Sequence, residues 1–258
     1  MKVDLVFTPG QVDEMSLRGK TVVMIDVLRS STTIVTALRN GAKEVIPVAT
    51  VESAVKISGN LFGDVILLGG ERNGRMIEGF HLGNSPAEYT EEKVKGKSII
   101  FSSTNGSQAM VRARHAQELL VCGFVNISAV AEHLREGSQA CTIVCAGRSG
   151  AFSLEDAVCG GFLIHKLAME GDHAELSDAA MGAHALYKSF GRSILKMIRG
   201  SEHGRHLAEI GFAGDLPLCA EVDTIPLVPC LAGNVIRRKR NPDPAEHAPA
   251  RPVPSRGR

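Results

Sequence analysis

The feature that most constrains the fold is an apolar run that ends in a carboxylate and leads directly into a helix start. Residues 22–25 form a continuous, largely β-branched run, which is typical of a strand buried on both faces. Asp26 follows the run, Arg29 comes three residues later, and four hydroxyl residues then open a segment with helical apolar spacing. Asp26 and Arg29 are therefore predicted at the carboxyl end of a central strand, where open α/β sheets bind their ligands.

The same order of apolar run, polar loop and helical segment recurs over residues 1–170. This period predicts an α/β fold, in which a layered and mostly parallel sheet is joined by crossover helices. Residues 153 to about 211 are mainly helical in pattern. That pattern allows two sub-lobes, about 1–150 and 151–236, with the active site in the cleft between them.

Three local features refine this picture. Pro47 places the strand 44–48 at a sheet edge, because proline has no N–H for the strand ladder. The triplet Asp215-Leu216-Pro217 is expected to end the helical region, and residues 219–229 to form the last strand. Residues 237–258 hold five of the eleven prolines and are rich in Arg and Ala, which predicts a disordered basic tail after a domain of residues 1–236.

Composition excludes several classes of partner. The seven Lys/Arg and two Asp/Glu from Arg237 onward leave a net charge of −4 on the rest of the chain, out of +1 overall. An acidic body without Trp argues against a nucleic-acid groove. No apolar run reaches the ~18 residues of a membrane span, and neither a signal peptide nor a Cys-x2-Cys pair occurs. A reduced, cytoplasmic protein is expected, and its size is compatible with a homodimer.

Polar loops with similar residues follow four of the predicted strands. They cover residues 26–30, 70–74, 104–106 and 147–156. If the loops converge, their arginines can clamp a phosphate or carboxylate group. Their carboxylates would repel such an anion by several kcal/mol at an effective dielectric of about 20, unless a divalent cation lies between them. The pattern therefore predicts a Mg²⁺-assisted phosphoryl site; surface ion pairs and ordinary turns are the alternative interpretation.

Standard phosphate-binding motifs are absent. Gly19-Lys20-Thr21 and Gly96-Lys97-Ser98 look like the end of a P-loop, but the first glycine of that motif is missing from both. A zinc site at His203-x2-His206 lacks an obvious third ligand. The segment 201–206 is instead interpreted as a loop that brings Arg205 or a histidine to the substrate, or as a solvated helix face.

Taken in order, these motifs resemble the 2-phosphosulfolactate phosphatase family, often called ComB-like. The resemblance covers about residues 2–235 and rests on the segments 25–33, 69–74, 79–86, 103–107 and 145–156. Its most specific part is Gly-Gly-Glu-Arg-Asn-Gly together with Gly-Asn-Ser-Pro. The resemblance implies a Mg²⁺-dependent phosphatase of coenzyme M biosynthesis that converts (R)-2-phospho-3-sulfolactate to 3-sulfolactate and phosphate.

Residue roles follow from the motifs and the resemblance together. Metal binding is expected from Asp26, Glu71 and Asp156, and catalysis from Asp26, Arg29, Glu71 and Arg148. The substrate is expected to contact Ser30, Ser31, Thr32, Arg72, Asn73, Asn84, Thr104, Asn105, Gly106 and Ser149. The attacking group is either a metal-activated water or Asp26 itself.

Two other functions are compatible with the same residues. One is a phosphatase for another small phosphorylated hydroxy acid. The other is a non-catalytic protein that binds a phosphorylated metabolite with the same arginines. Clustered carboxylates favour an enzyme, because a pure anion binder gains nothing from them.

Overall fold

The computed structural model describes residues 1–60, 65–137, 139–168 and 174–239. Within these ranges eleven strands form one sheet. The strands are Lys2–Val6 (β1), Thr21–Ile25 (β2), Glu44–Pro47 (β3), Ile66–Arg72 (β4), Arg75–Met76 (β5), Ser98–Ser102 (β6), Glu118–Cys122 (β7), Ala140–Cys145 (β8), Glu175–Leu176 (β9), Pro229–Ala232 (β10) and Val235–Arg238 (β11). This layered arrangement confirms the predicted α/β class.

Helices connect most of these strands, as the period predicted. They are Ser30–Arg39 (α1), Val51–Asn60 (α2), Glu91–Val94 (α3), Gly106–Arg112 (α4), Ile127–Gly137 (α5), Leu154–Ala168 (α6), Asp178–Phe190 (α7), Ile194–Gly200 (α8), Glu202–Glu209 (α9) and Asp215–Ala220 (α10). In the described part of the chain, no helix has the length and apolar character needed to cross a membrane.

The run that ends at Asp26 forms β2, between β7 and β8 and parallel to both. Its side chains alternate between two buried cores, as a strand covered on both faces requires. Val23 and Ile25 pack with helices α5 and α6. Val22 and Met24 pack on the other face, with α1 and α4.

An antiparallel hairpin joins two parallel blocks of the sheet. The strand order is β5-β4-β6-β3-β11-β10-β7-β2-β8-β1-β9. Because β11 pairs with β3, the expectation that Pro47 marks an edge strand is wrong. The pairing to β11 involves Val45 only, so Pro47, at the end of β3, needs no N–H on that side.

The C-terminal part of the chain differs from its sequence-based description. Asp215 begins α10 instead of ending the helical region, and residues 219–229 do not form the last strand. Pro226 and Pro229 lack N–H groups, and the strands begin only at Pro229. Arg237 and Arg238, expected in a disordered tail, belong to β11. Residues 240–258 of that tail lie outside the described ranges.

Strands from both sides of residue 150 belong to the one sheet, and the division into sub-lobes stays a prediction. The loops that follow distant strands nevertheless meet. Four strands separate β6 from β2, yet a Cβ on Gly106, which follows β6, would lie 2.6 Å from the Asp26 Oδ2. The loops after β2, β4, β6 and β8 thus come together at one place.

Candidate active site

The loop after β2 holds Asp26 through its own backbone. The Asp26 N–H donates to the Ser31 hydroxyl over 2.9 Å, and the Thr32 hydroxyl donates to the Val27 carbonyl over 3.2 Å. The Ser30 N–H and hydroxyl are close enough to the Asp26 carboxylate to lower its pKa, and the Ser30 hydroxyl also donates to the Ser103 hydroxyl over 3.2 Å. Ser30 therefore faces the carboxylate, whereas the Ser31 and Thr32 hydroxyls support the loop from behind.

The end of β4 carries Glu71 into the site on a tight hairpin. Asn73 and Gly74 have φ values of 53° and 80°, as expected for a two-residue type I′ turn between β4 and β5. The buried Glu71 carboxylate accepts the Gly74 N–H at 2.8 Å and the Thr104 N–H at 2.7 Å. Glu71 thus ties the β4 hairpin to the loop that follows β6.

Arg72 points away from this carboxylate. Its guanidinium donates to the Ser102 hydroxyl over 2.9 Å and to the Glu71 carbonyl over 2.8 Å. The apolar run ends at Leu68, but β4 continues to Arg72, so Glu71 and Arg72 lie on opposite faces of a strand. The structure does not bring Arg72 to the other predicted site residues.

Asn84 contributes an oxygen that has no partner. Its side chain is buried, and its Nδ2 faces the Ser30 hydroxyl at 3.5 Å. No residue in the described part of the chain hydrogen-bonds the Asn84 Oδ1. A buried polar oxygen without a partner costs free energy, so this atom indicates a missing ligand, ion or water.

The loop after β8 completes the wall. The Ser149 N–H donates to the Asn105 Oδ1 over 2.9 Å, which joins this loop to the start of α4. Arg148 lies beside it and pairs with Glu202 of α9, Nη1 to Oε1, over 2.6 Å. The Glu202 side chain is 84% exposed, so solvent screens the pair and an anion can compete for the guanidinium.

These residues enclose a cavity of about 260 Å³. Ten of the fifteen predicted site residues line it, namely Asp26, Arg29, Ser30, Glu71, Asn73, Asn84, Thr104, Asn105, Arg148 and Ser149. Five do not, namely Ser31, Thr32, Arg72, Gly106 and Asp156. Gly106 lies behind Asp26, where a side chain would collide with the carboxylate.

Asp156 holds the backbone beneath the cavity. Its Oδ1 accepts the Val27 N–H at 2.8 Å and its Oδ2 accepts the Gly147 N–H at 3.1 Å. Both of its oxygens are used to join the ends of β2 and β8. Burial, and then the negative charge of Asp26, raise the pKa of Asp156.

Arg29 lines the cavity, but its guanidinium already has partners. Its Nη1 contacts Asp215 at 2.7 Å, its Nη2 donates to the Gly74 carbonyl over 2.6 Å, and the Phe212 ring lies 4.3 Å from its Cζ. An anion that used Arg29 would have to compete with a buried carboxylate.

Two histidines also line the cavity, and neither was among the predicted site residues. They are His203 and His206 of α9. The sequence signal was present in the segment 201–206, which was interpreted as a loop bringing Arg205 or a histidine to the substrate. Arg205 itself turns back to the Gly200 carbonyl, and α9 begins at Glu202 after the cap of Ser201.

The electrostatics of the cavity favour a cation. Burial raises the pKa of Asp26 to about 6. The Glu71 carboxylate adds to this shift, while the Ser30 hydrogen bonds and the charge of His203 oppose it without cancelling it. Two carboxylates beside the unpartnered Asn84 oxygen are hard ligands of the kind Mg²⁺ prefers. Of the predicted metal ligands, Asp26 and Glu71 line the cavity and Asp156 does not. Each Glu71 oxygen also accepts one backbone N–H, so an ion there would share this carboxylate with the Gly74 and Thr104 amides.

The described residues do not form a metal site in which protein side chains supply every ligand. Among the described residues no group of three or more His, Cys, Asp and Glu side chains is arranged to hold an ion. Mg²⁺ commonly takes one or two carboxylates and completes its shell with water and substrate. The Asp26 and Glu71 carboxylates in the cavity agree with this mode of Mg²⁺ coordination.

A second cavity, of about 460 Å³, lies near the amino ends of the strands. Glu118 is its main carboxylate, and both of its oxygens are paired, one with His133 and the other with Lys239. The four polar loops do not reach it. The smaller cavity is therefore the candidate active site.

Comparison with known proteins agrees with this choice. The profile of the 2-phosphosulpholactate phosphatase family matches residues 6–234. A protein of Caldanaerobacter subterraneus subsp. tengcongensis named probable 2-phosphosulfolactate phosphatase is 41% identical over 91% of this chain and 97% of its own. A Clostridium acetobutylicum protein of the same name is 40% identical over 89% of this chain and 97% of its own. The match spans every strand end that contributes to the cavity, and the chain belongs to the 2-phosphosulpholactate phosphatase family of phosphoric monoester hydrolases.

Proposed function

We propose that the protein uses Mg²⁺ to hydrolyse (R)-2-phospho-3-sulfolactate to 3-sulfolactate and phosphate. One observation carries the proposal. The Asp26 and Glu71 carboxylates and the unpartnered Asn84 oxygen share a small cavity with Arg148. The two carboxylates alone would repel a phosphorylated acid. A cation bound between the carboxylates and the phosphate would remove this repulsion.

Asp26 and Glu71 would hold the metal, with Asn84 as a neutral third oxygen. When bound, Mg²⁺ would neutralise phosphoryl charge and increase the acidity of a coordinated water. Asp156 serves the site indirectly, because it holds the Val27 and Gly147 amides in place. This reduces the predicted set of metal carboxylates from three to two.

The substrate class follows from the cavity's size and charge. A cavity of about 260 Å³ suits a small acid better than a nucleotide or a peptide. The ion pair between Arg148 and Glu202 is weakened by solvent, so Arg148 can bind a second anionic group of the substrate, such as a carboxylate or sulfonate. Ser30 and Thr104 line the same cavity, and their hydroxyls donate to Ser103 and Glu71 over 3.2 Å.

The decisive experiment measures phosphate release from a panel of phosphorylated acids with EDTA or with Mg²⁺. The panel contains (R)-2-phospho-3-sulfolactate, its S enantiomer, 2-phospholactate and phosphoglycolate. The highest kcat/KM is expected for the R sulfonate and only with Mg²⁺. A preference for another member supports the alternative of a different phosphorylated hydroxy acid. Saturable binding without release from any member supports the non-catalytic alternative.

The identity of the attacking group has its own test. Acid quenching during turnover of ³²P-labelled substrate traps an aspartyl phosphate if Asp26 is the nucleophile, and leaves the protein unlabelled if water attacks. Asp26→Asn is expected to abolish turnover in either case. Near-normal turnover of this variant with Mg²⁺ would remove Asp26 from both the metal and the nucleophile roles.

We also propose a cytoplasmic location and a place in coenzyme M biosynthesis, as the family resemblance implies. The six cysteines are unpaired, and five of them are buried, in keeping with a reducing compartment. Arg237 and Lys239, at the start of the basic tail, are paired with Glu44 and Glu118, which leaves less charge for nucleic acid. A homodimer stays a prediction that sedimentation equilibrium would test.

A further inference from the structure

A histidine and a buried glutamate form a pair at the wall of the cavity. The His203 Nδ1 lies 3.2 Å from the Glu155 Oε1. The Glu155 side chain is 2% exposed and the His203 side chain 15%, so the pair is largely shielded from bulk water. Glu155 is in the first turn of α6 and His203 in the first turn of α9. Two separate helices therefore fix the imidazole ring.

The pair determines which ring nitrogen is available for chemistry. An ionised carboxylate only accepts hydrogen bonds, so the His203 Nδ1 that faces Glu155 carries a proton. Burial alone would raise the pKa of Glu155, but the hydrogen bond and positive charge of His203, together with hydrogen bonds from the Glu155 backbone and Ser153, lower it. Over the described ranges of the chain, no residue hydrogen-bonds the Nε2 of His203. Nε2 is thus the ring nitrogen left to exchange a proton with a molecule in the cavity.

His203 lies close to the proposed phosphoryl site. It lines the same cavity as Asp26, and its positive charge lowers the pKa of that carboxylate. The other proton donors at the wall are less suited. Arg148 does not release a proton at accessible pH. His206 lines the cavity as well, but among the described residues no carboxylate orients its ring.

We propose that His203 is the general acid that protonates the leaving oxygen of the substrate, and that Glu155 is the positioning residue that orients its ring. The inference rests on the proposed phosphatase function and adds to it the residue that serves the leaving group. An alkoxide is a poor leaving group, and a donor placed at its oxygen contributes about 10²–10⁴-fold to the rate.

The bond between phosphorus and the ester oxygen breaks, and its electron pair stays on that oxygen. The oxygen takes the proton of His203 Nε2 and leaves as the alcohol. A water oxygen supplies the new bond to phosphorus, directly or after an aspartyl phosphate. The proton that this water releases returns through solvent to Nε2, so the imidazole ends the cycle as it began.

The test compares esters whose leaving groups differ in basicity. A good leaving group such as p-nitrophenolate needs no proton, whereas an alkoxide does. Log kcat/KM with saturating Mg²⁺ is plotted against leaving-group pKa, from alkyl phosphates through phenyl phosphate to p-nitrophenyl phosphate. His203→Gln is expected to lose about 10²–10⁴-fold on the alkyl esters and to retain near wild-type kcat/KM on the p-nitrophenyl ester. The slope therefore becomes steeper.

Two further variants separate chemistry from structure. Glu155→Gln should steepen the slope in the same direction by a smaller amount, which a merely structural role of Glu155 would not do. His133→Gln is the matched control, because His133 also pairs with a glutamate, Glu118, at 3.0 Å but lies outside the cavity. Its slope and rates should equal those of the wild type.

The outcomes are distinct. An equal loss by His203→Gln on every ester, with an unchanged slope, overturns the general-acid role while leaving the phosphatase function intact. Wild-type protein that releases phosphate from no ester overturns the proposed function and this inference together. Wild-type activity on alkyl phosphates other than phosphosulfolactate changes the substrate only, and the slopes still decide the role of His203. If thermal melting shows that His203→Gln does not fold, the slope measured for Glu155→Gln decides the role of His203.

Discussion

Arg29 and Asp215 are 186 residues apart in the sequence, yet the Arg29 Nη1 lies 2.7 Å from the Asp215 Oδ2. Their side chains are 2% and 6% exposed. The other Asp215 oxygen accepts a hydrogen bond from the Ser85 hydroxyl at 2.6 Å. The Arg29 Nη2 donates a hydrogen bond to the Gly74 carbonyl. One buried ion pair thus fastens α10 to three of the segments around the cavity.

Breaking this pair should destabilise the protein strongly. Asp215→Asn leaves a buried guanidinium without its countercharge, a change that typically costs about 3–5 kcal/mol. Urea unfolding of the metal-free protein measures this loss. Lys95→Ala, which removes the exposed pair of Lys95 with Glu91, is the control and should not move the unfolding midpoint. Equal midpoints for wild type and Asp215→Asn would contradict the fastening role.

The buried carboxylate of Asp26 should make stability depend on pH. The pKa of Asp26 in the folded protein is about 6, above its ordinary value of 3.8. Its protonated form is therefore favoured by folding, and its contribution to stability is complete below pH 3.8 and lost as pH rises through about 6. At pH 8 in EDTA, Asp26→Asn should be more stable than wild type by up to about 3 kcal/mol.

Guanidinium unfolding at a series of pH values measures this difference. The stability difference between Asp26→Asn and wild type should fall toward zero near pH 4, where the wild-type Asp26 carboxyl is protonated and therefore uncharged, like the Asn side chain. Mg²⁺ added at pH 8 should also reduce the stability difference between the variant and the wild type. The ion binds the wild-type Asp26 carboxylate and stabilises that protein, whereas the variant lacks this ligand. A gap that stays constant from pH 4 to pH 8 would show that Asp26 is not perturbed.

Gly106 should be needed for catalysis because it leaves room for Asp26. A Cβ at this position would lie 2.6 Å from the Asp26 Oδ2 and 2.9 Å from the Ser30 Cβ. Gly106→Ala should therefore displace the carboxylate and lower kcat/KM by about 10²-fold. The matched control is Gly182→Ala in α7, where nothing lies within 4 Å of the new methyl group. The control should gain about 0.5–1 kcal/mol of stability and keep its turnover.

Arg148 should contribute mainly to substrate binding. A hydrogen bond to a charged group contributes about 1.5–3 kcal/mol, so Arg148→Ala should raise KM by roughly 10- to 100-fold and change kcat less. Steady-state kinetics on the preferred acid test this expectation. Glu202→Ala removes the residue that competes for Arg148 and should not raise KM. An unchanged KM in Arg148→Ala would remove this arginine from the site.

The sequence was sufficient wherever structure follows a local pattern. The apolar run of β2 and the hydroxyl-rich start of α1 gave both elements and placed Asp26 at their junction. The polar loop at residues 104–106 was likewise predicted, because the end of a strand is a short-range feature. Most predicted residues that line the cavity come from these junctions.

Errors arose where a side chain's direction depended on distant packing. Arg72 was assigned to a loop because the apolar run stops at Leu68, but pairing with β6 and β5 extends β4 to residue 72. Arg29 was assigned to catalysis as a free cation, since nothing near it in sequence discloses Asp215 as its partner. Asp156 was assigned to metal, although it lies beneath the cavity and its two oxygens accept the amides that follow the neighbouring strands β2 and β8.

The sequence by itself determined the alternation of strands and helices, the family, and the carboxylates and turns at the strand ends, because each depends on a few neighbouring residues. Only the tertiary structure decided which of those ends meet. The inserted β10–β11 hairpin joins two parallel blocks, and Gly106 lies against Asp26 although four strands separate β6 from β2. Placing His203 beside Glu155 depends on the same long-range packing, which residues near them in sequence do not specify.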